Sequence, residues 1–116
     1  DIMISCDINK MQRVFDNLLR NAVNYSYEGT NIKVFAELFN NNVCVKVINE
    51  GNTIPKEKLD RIFEQFFRLD TARNSSSGGA GLGLAIAKEI VELHHGTITA
   101  DSANGITCFE VVIPLS

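Results

Sequence analysis

Two pairs of apolar, β-type segments, each joined by a short turn rich in asparagine or glycine, constrain the fold more than any other feature. Residues 32–38 alternate in polarity and are followed, after Asn40-Asn41-Asn42, by a second strand pattern. Asn104-Gly105 is a strong hairpin signal between the second pair. Such short turns join antiparallel strands, which argues against a doubly wound parallel sheet. The strands are predicted at residues 32–38, 43–48, 97–100 and 107–113.

Helical patterns before and between the hairpins supply a second layer. Asp7 can cap a helix from about Ile8 to Tyr25, whose apolar residues recur at helical spacing. A second long helix is predicted from Leu82 to His95, closed by Gly96. The remaining elements are a strand at Ile2-Met3-Ile4 and a short helix that starts near Pro55 and carries Leu59, Ile62 and Phe63. This order predicts an α/β (α+β) two-layer sandwich, in which helices cover one face of a mixed, mainly antiparallel sheet.

Composition limits the possible functions. A chain of 116 residues with 45% hydrophobic and 22% charged residues is expected to form a single globular domain. A formal net charge of −3 offers no basic surface for nucleic acid. Cys6, Cys44 and Cys108 lack zinc-site spacing, so we expect reduced cysteines in a reducing compartment. No signal peptide or membrane-spanning run is visible, and the abrupt start suggests the C-terminal domain of a longer protein.

A glycine-rich segment precedes the second long helix. Gly79, Gly81 and Gly83 free the backbone to approach a ligand, and the helix start behind them offers N–H groups to phosphate. The segment is not a P-loop, because Leu84 follows Gly83, nor a dinucleotide fingerprint, because a polar segment rather than a strand precedes it. Residues 70–79 are polar and are predicted to be mobile. The alternative is a flexible loop before an ordinary helix.

Three asparagines share one stripe of the first helix. Asn17, Asn21 and Asn24 stand at i, i+4 and i+7, beside the apolar face. Asparagine is a poor residue for a helix interior, so three on one stripe suggest a polar site. Their amides offer oxygens to a hard cation such as Mg²⁺ and N–H donors to phosphate. The alternative is a set of solvated positions at the edge of the helix.

Two further segments carry candidate binding residues. Asn49 opens a predicted loop, Asn49–Pro55, directly after a strand, where its side chain can meet a base. Gly51 leaves room beside it, and a plain turn before a helix is the alternative. Arg68 follows three phenylalanines and could reach phosphate. The pair His94-His95 could indicate a metal or phosphotransfer role, but adjacent residues of a helix face apart. We therefore prefer the interpretation that these histidines place a stabilising positive charge at the helix C-terminus. No nucleophile with an adjacent base is apparent.

Four of these segments together resemble the ATP-binding domain of sensor histidine kinases, within the wider group that includes gyrase, Hsp90 and MutL. The amino-acid sequence of these motifs most resembles that of vancomycin-resistance sensor kinases. The segment Glu92-Leu93-His94-His95-Gly96, at the end of the second long helix, also points to the histidine kinase branch. The motifs are Asn17–Ser26 for the N box, Asn49–Pro55 for the G1 box, Phe63–Arg68 for the F box and Gly79–Leu84 for the G2 box.

The resemblance implies a Bergerat-type sandwich that binds ATP and Mg²⁺. Asn17 and Asn21 would hold the metal, Asn49 would meet the adenine amino group, and residues 69–80 would form a flexible lid. Arg68 and the glycine-rich backbone would take the phosphates. The implied nucleotide-binding residues are Asn17, Asn21, Asn24, Tyr25, Asn49, Gly51, Ile54, Arg68, Gly79, Gly81, Leu82, Gly83 and Leu84.

The sequence departs from the family pattern in the G1 and N boxes. Asn49 stands where aspartate is usual, so a charge-assisted bond to adenine becomes a neutral one. Thr53 replaces the second G1 glycine, and Asn24 replaces a common phosphate-contacting lysine. We expect the G1-box changes to weaken ATP binding by about 1 kcal/mol. Asn24 removes a cation, and the magnesium asparagines stay in place.

The resemblance implies the catalytic half of a histidine autokinase, which supplies the γ-phosphate of ATP to a histidine on a separate dimerisation domain. The partners would be that domain and a response regulator, with no nucleic acid. The chain would be a cytoplasmic domain of a membrane-anchored bacterial kinase, tied to the membrane only by missing upstream segments. One alternative is a non-catalytic, nucleotide-gated interaction module, which Asn49, Thr53 and Asn24 motivate. The other is a gyrase- or Hsp90-type ATPase, which would need a hydrolysing acid, and Asp16 faces elsewhere.

Overall fold

The predicted two-layer sandwich is confirmed in a computed structural model, which describes residues 8–65, 67 and 83–114. Four strands form one antiparallel sheet in the order β1-β2-β4-β3, and helices pack on it. The predicted strand at residues 2–4 and the capping residue Asp7 lie outside the described residues. The elements are α1 (Ile8–Tyr25), β1 (Lys33–Phe39), β2 (Asn42–Glu50), α2 (Lys56–Leu59), α3 (Gly83–Leu93), β3 (Thr97–Ala103) and β4 (Ile106–Pro114).

Both hairpins turn through two residues in the left-handed region. Asn40 and Asn41 have φ values of 50° and 64°, and Asn104 and Gly105 have values of 53° and 78°. Positive φ at both turn positions is typical of a type I′ turn, whose twist matches that of the flanking strands. Asparagine and glycine tolerate this backbone better than other residues. The turn chemistry therefore sets the register of both strand pairs.

The core lies between the central strands and the two long helices. Val47 of β2 and Phe109 and Val111 of β4 alternate with more exposed neighbours, so one face of the sheet is buried. Val14, Leu18 and Ala22 of α1 are fully buried against this face, as are Ala87 and Val91 of α3. The full buried cluster is Met11, Val14, Leu18, Ala22, Val47, Ile62, Ala87, Ile90, Val91, Ile98, Phe109, Val111 and Ile113.

The strands near the turn at Gly105 are longer than predicted. β2 continues through Asn49 and Glu50, which the sequence placed in a loop, because they pair with Thr107 and Ile106 of β4. β3 likewise continues to Ala103, which pairs with Ile106. Pairing with β4, which is distant in the chain from β2 but adjacent to β3, thus extends both elements over polar residues. This extension brings Asn49 into the sheet, next to the candidate site.

The short helix and the end of the second long helix also differ from prediction. α2 covers only Lys56–Leu59, so Ile62 and Phe63 lie in the turns behind it. Phe63 nevertheless packs edge-on to Phe109, with ring centroids 6.1 Å apart. α3 ends at Leu93 rather than His95. Tertiary packing therefore buries the segment behind α2, with Ile62 and Phe63, without a continuous helix.

The C-terminus of α3 is closed by His95 and Gly96 together. His95 adopts a φ of 64°, and its N–H donates to the carbonyl of Glu92, while the N–H of Gly96 donates to the carbonyl of Val91. This is a Schellman motif with histidine, not glycine, in the left-handed position. Gly96 is required for a different reason, because a Cβ there would collide with the backbone carbonyl of Val112 in β4.

Candidate nucleotide-binding site

A pocket of about 350 Å³ opens between the C-terminal half of α1, the end of β2 and the segment that leads to α2. Its size falls at the low end of ordinary small-ligand pockets. Its lining is mixed, with hydroxyl and amide groups beside tyrosine and aliphatic surfaces. The lining residues are Asn21, Tyr25, Ser26, Tyr27, Asn49, Asn52, Thr53, Ile54, Pro55, Lys58 and Thr107.

The deepest polar groups of the pocket are Asn49 and Thr107. They face each other in the register of β2 and β4 and are 2% and 3% exposed, on the same side of the sheet as the apolar core. The Thr107 hydroxyl lies 2.8 Å from Oγ of Ser102. None of the side-chain hydrogen bonds found among the described residues involves Asn49. A buried amide that borders a pocket in this way is suited to bind a ligand.

The segment after β2 is tied to the β3–β4 hairpin by hydrogen bonds. The N–H of Ile54 donates to Oγ of Ser102 over 2.8 Å, and the N–H of Gly105 donates to Oγ1 of Thr53 over 2.7 Å. The N–H of Gly51 donates to the carbonyl of Gly105 over 2.9 Å. These bonds fix the backbone on one side of the pocket. Thr53 therefore anchors the segment through its hydroxyl.

Gly51 lies where the end of β2 meets the end of α1. A Cβ at this position would collide with the carbonyl oxygen of Tyr25 and would come within 3.4 Å of Nδ2 of Asn49. Ser26 forms an isolated antiparallel bridge with Gly51, and the N–H of Tyr27 donates to the carbonyl of Glu50. The absence of a side chain therefore permits close backbone packing and leaves space beside the Asn49 amide.

The asparagine stripe of α1 lies between the core and the surface, since Asn17, Asn21 and Asn24 are all half-buried. Asn21 lines the pocket. Nδ2 of Asn17 donates to the carbonyl of Gly83 over 3.1 Å, which places the start of α3 beside α1. This bond uses an N–H of the amide and leaves its oxygen as an acceptor.

The described part of the lining carries one ionisable cation and no carboxylate. Lys58 is exposed at the rim, and the other lining side chains are amides, hydroxyls and apolar groups. Residues 8–65, 67 and 83–114 contain no group of three or more His, Cys, Asp or Glu that could hold a metal.

At the far end of α3, Nδ1 of His94 lies 2.9 Å from the carbonyl of Ile90, as expected for a ring nitrogen at a helix C-terminus.

The structure brings some of the predicted site residues together. Asn21, Tyr25, Asn49 and Ile54 line one pocket. Asn17 and Gly83 contact each other, and Leu84 packs against the core. Asn24 is not among the lining residues. Arg68, Gly79, Gly81, Leu82 and the predicted lid at residues 69–80 lie outside the described residues.

Sequence reasoning missed several residues of the pocket. Thr107 could have been found, because it begins the alternating pattern of β4 on the face that Phe109 occupies. Ser102 carried no local signal, since its role depends on bonds to Ile54 and Thr107, which are distant along the chain or across a turn. The other pocket residues not predicted as site residues are Ser26, Tyr27, Asn52, Thr53, Pro55 and Lys58.

The fold is an α/β sandwich domain with a pocket at one end of an antiparallel sheet. The chain belongs to the family of histidine kinase-, DNA gyrase B- and HSP90-like ATPases, whose sequence model matches residues 6–116. It is 49% identical over 114 residues to the sensor protein VanS of Enterococcus faecium, and the match covers 98% of this chain and 29% of VanS. This confirms the resemblance to vancomycin-resistance sensor kinases.

Solved structures place the chain with the catalytic domains of histidine kinases. The mycobacterial sensor histidine kinase MprB matches with a TM-score of 0.86 and 30% identity, over 97% of this chain and 76% of that one. Full-length ShkA in complex with AMPPNP matches with a TM-score of 0.79 and 25% identity, over 92% of this chain and 22% of that one. The chain is therefore an ATP-binding domain of the histidine kinase type. None of the described helices is long and apolar enough to cross a membrane.

Proposed function

We propose that this chain is the catalytic part of a sensor histidine kinase, which binds Mg-ATP and presents its γ-phosphate to a histidine on a separate dimerisation domain. The observation that carries the proposal is the pocket in which the buried amide of Asn49 and the α1 residue Asn21 line the same space. Family membership and the likeness to ShkA, which was solved with AMPPNP, support a nucleotide as the ligand.

In the proposed complex, each element supplies one kind of contact. Asn49 and Thr107 meet the base, Tyr25 and Ile54 line its walls, and Gly51 keeps the backbone close. The start of α3 at Gly83, with Leu84 behind it, faces the phosphates, because free N–H groups at a helix start favour anions. Arg68, Gly79, Gly81 and Leu82 complete the phosphate site, with residues 69–80 as a lid over the bound nucleotide. Asn24 extends the polar stripe on the same helix.

The α1 amides fit a magnesium ion that takes its remaining ligands from phosphate and water. Asn17 and Asn21 lie one helical turn apart, and each provides a neutral oxygen, as expected for a hard cation held largely by nucleotide phosphates. The metal would neutralise charge on the phosphates. The part of this chain in catalysis is to orient the nucleotide and exclude water, since phosphoryl transfer depends mainly on positioning and electrostatics.

Magnesium-dependent binding tests the site directly. We expect calorimetric titration of the 116-residue chain with AMPPNP to show binding that requires Mg²⁺ and that Asn21→Ala weakens by about tenfold or more, because a metal ligand and a lining amide are lost. Asn31→Ala, at an exposed position before β1 that does not line the pocket, is the matched control and should bind as the unmodified chain does. Binding unaffected by Asn21→Ala would contradict the assigned role.

The identity of the whole protein is the larger part of the proposal. The chain spans 29% of VanS, so the dimerisation domain, the response regulator and a cytoplasmic location below a membrane anchor are inferred from the relatives. Residues 1–116 would form one domain of that protein. In a fusion to the dimerisation region, Asn21→Ala should abolish autophosphorylation while the circular dichroism spectrum stays native. If the chain bound a partner protein in a way that needed nucleotide but no phosphoacceptor histidine, the result would instead favour an interaction module. If the isolated domain hydrolysed ATP in the steady state, the result would favour a gyrase- or Hsp90-type ATPase.

A further inference from the structure

The buried amide of Asn49 differs from a carboxylate in a way that bears on which base the pocket accepts. An ionised carboxylate only accepts hydrogen bonds, whereas an asparagine amide offers one acceptor oxygen and two donor N–H groups. Asn49 is 2% exposed and lines the pocket, so its amide defines the polar chemistry at the inner end. We propose that the pocket accepts 6-oxopurine nucleotides, such as ITP and GTP, as well as ATP. This inference rests on the proposed nucleotide site.

The two classes of purine present opposite groups at position 6. Adenine carries an amino group that donates, whereas hypoxanthine and guanine carry an oxygen that accepts. A half-turn about the terminal bond of Asn49 exchanges its oxygen and its N–H groups, and this torsion is broad and roughly two-fold. The amide can therefore pair with either base. At position 6 itself, a buried carboxylate could pair only with the amino group and would be repelled by the oxygen.

The surroundings of Asn49 leave the amide able to adopt both orientations. No side-chain hydrogen bond to another described residue is found that would fix it. Gly51 has no side chain, and a Cβ there would come within 3.4 Å of Nδ2 of Asn49. The glycine thus keeps space beside the amide that any other residue would reduce.

The neighbouring groups also adapt to either base. The hydroxyl of Thr107, which faces Asn49 across the strands, can act as donor or acceptor toward Ser102 and so can present either character to the ligand. The described lining contains no carboxylate that would repel a base oxygen. Discrimination against 6-oxopurines is strong only where a buried group is left unpaired, and here the amide finds a partner in both cases.

Comparison of ATP with ITP isolates this contact, because the two differ at position 6, with an accompanying proton on N1. With Mg²⁺ present, we expect the 116-residue chain to bind ITP within about tenfold of ATP. Asn49→Asp restores an acceptor-only group and should widen the preference for ATP to about 100-fold. Asn41→Asp adds the same charge at the opposite end of β2, in a turn position that aspartate tolerates, and should leave the ratio unchanged. GTP tests whether the additional 2-amino group also fits.

The possible outcomes distinguish the inference about the base from the proposed nucleotide site itself. If the unmodified chain binds ATP but binds ITP more than about 100-fold more weakly, the base inference is overturned and the nucleotide site stands. If no nucleotide binds, both are overturned. If Asn49→Asp does not fold, purine riboside triphosphate, which carries no group at position 6, replaces the variant. Both ATP and ITP should then bind the unmodified chain more tightly than this analogue, and equal affinities would overturn the inference.

Discussion

Gly96 shows how a single position can be dictated by a neighbouring strand. A Cβ added there would collide with the carbonyl of Val112 and would lie 3.1 Å from Cγ1 of Val91 and 3.3 Å from Cγ1 of Ile113. Since a backbone carbonyl in the sheet cannot shift cheaply, we expect Gly96→Ala to lower the free energy of unfolding by about 1–3 kcal/mol. Urea denaturation followed by circular dichroism measures this.

Gly83 is the matched control for that substitution. A Cβ there would meet only the side chain of Asn17, at 3.7 Å, and the φ of this first residue of α3 lies outside the left-handed region. Gly83→Ala should therefore change the free energy of unfolding by less than about 1 kcal/mol. Equal losses in the two variants would show that the collision at Gly96 is relieved by small backbone movements.

The thiol of Cys108 provides a pH-dependent reporter on the face of the sheet opposite the core. Burial raises the pKa of this thiol above its usual range, the carboxylates of Glu110 and Asp101 raise it further, and the ammonium of Lys46 lowers it. The thiolate is the reactive form, so alkylation of Cys108 should be slow at pH 8 and should accelerate only at a higher pH than for an ordinary cysteine.

Two charge substitutions should move this pH profile in opposite directions. Lys46→Gln removes the cation and should shift the midpoint of Cys108 alkylation upward, whereas Glu110→Gln removes a carboxylate and should shift it downward. Peptide-resolved mass spectrometry with iodoacetamide follows Cys108 separately from the other cysteines. Shifts of the same sign in both variants would mean that changed burial, not charge, controls the thiol.

Among the elements, the β3–β4 hairpin positions the wall of the pocket. Oγ of Ser102 accepts from the N–H of Ile54 and also lies 2.8 Å from the hydroxyl of Thr107. Ser102→Ala leaves this N–H without its partner, so hydrogen exchange at Ile54 should become about tenfold faster. Amide exchange followed by NMR measures the change. Ser26→Ala is a matched control, since that hydroxyl bonds to Ala22 within α1, and it should leave exchange at Ile54 unaltered.

How far the sequence predicts each element depends on how local its determinants are. The extent of α1 follows from a repeating apolar pattern, and its predicted end at Tyr25 agrees with the structure. The two hairpins follow from turn residues with positive φ. In contrast, the extension of β2 over Asn49 and Glu50 depends on β4, which follows much later in the chain. α2 is short because packing of Phe63 against Phe109, rather than helical periodicity, organises the residues behind it.

On the scale of the whole molecule, one core joins the two long helices with strands β2, β3 and β4. Leu18 of α1, Val91 of α3 and Phe109 of β4 belong to the same buried cluster, so neither helix can leave the sheet without exposing it. We therefore expect a single cooperative unfolding transition. Far-UV circular dichroism and the fluorescence of Tyr25 and Tyr27, in a chain without tryptophan, should give the same urea midpoint. Two separate midpoints would contradict a single core.

The sequence was sufficient to predict individual residues of the candidate site, but not which of them lie together in the structure. The motifs identified Asn21, Tyr25, Asn49 and Ile54, which the structure gathers around one pocket. The alternating pattern of β4 could have placed Thr107 on the buried face, but the pattern does not give the register that sets Thr107 opposite Asn49. Local chemistry marks residues able to bind a ligand, but only the strand order determines which of them meet.

That strand order also has a consequence for the time course of folding. Each hairpin brings together residues that are close in the chain, and hairpins of this kind form within about 1–10 μs. The central pairing of β2 with β4 joins segments separated by roughly half of the chain, so it requires closure of a long loop before its contacts are gained. The floor of the pocket, where Asn49 meets Thr107, therefore belongs to the slowest pairing in the sheet. During folding, both hairpins would therefore form well before the pocket could bind a ligand.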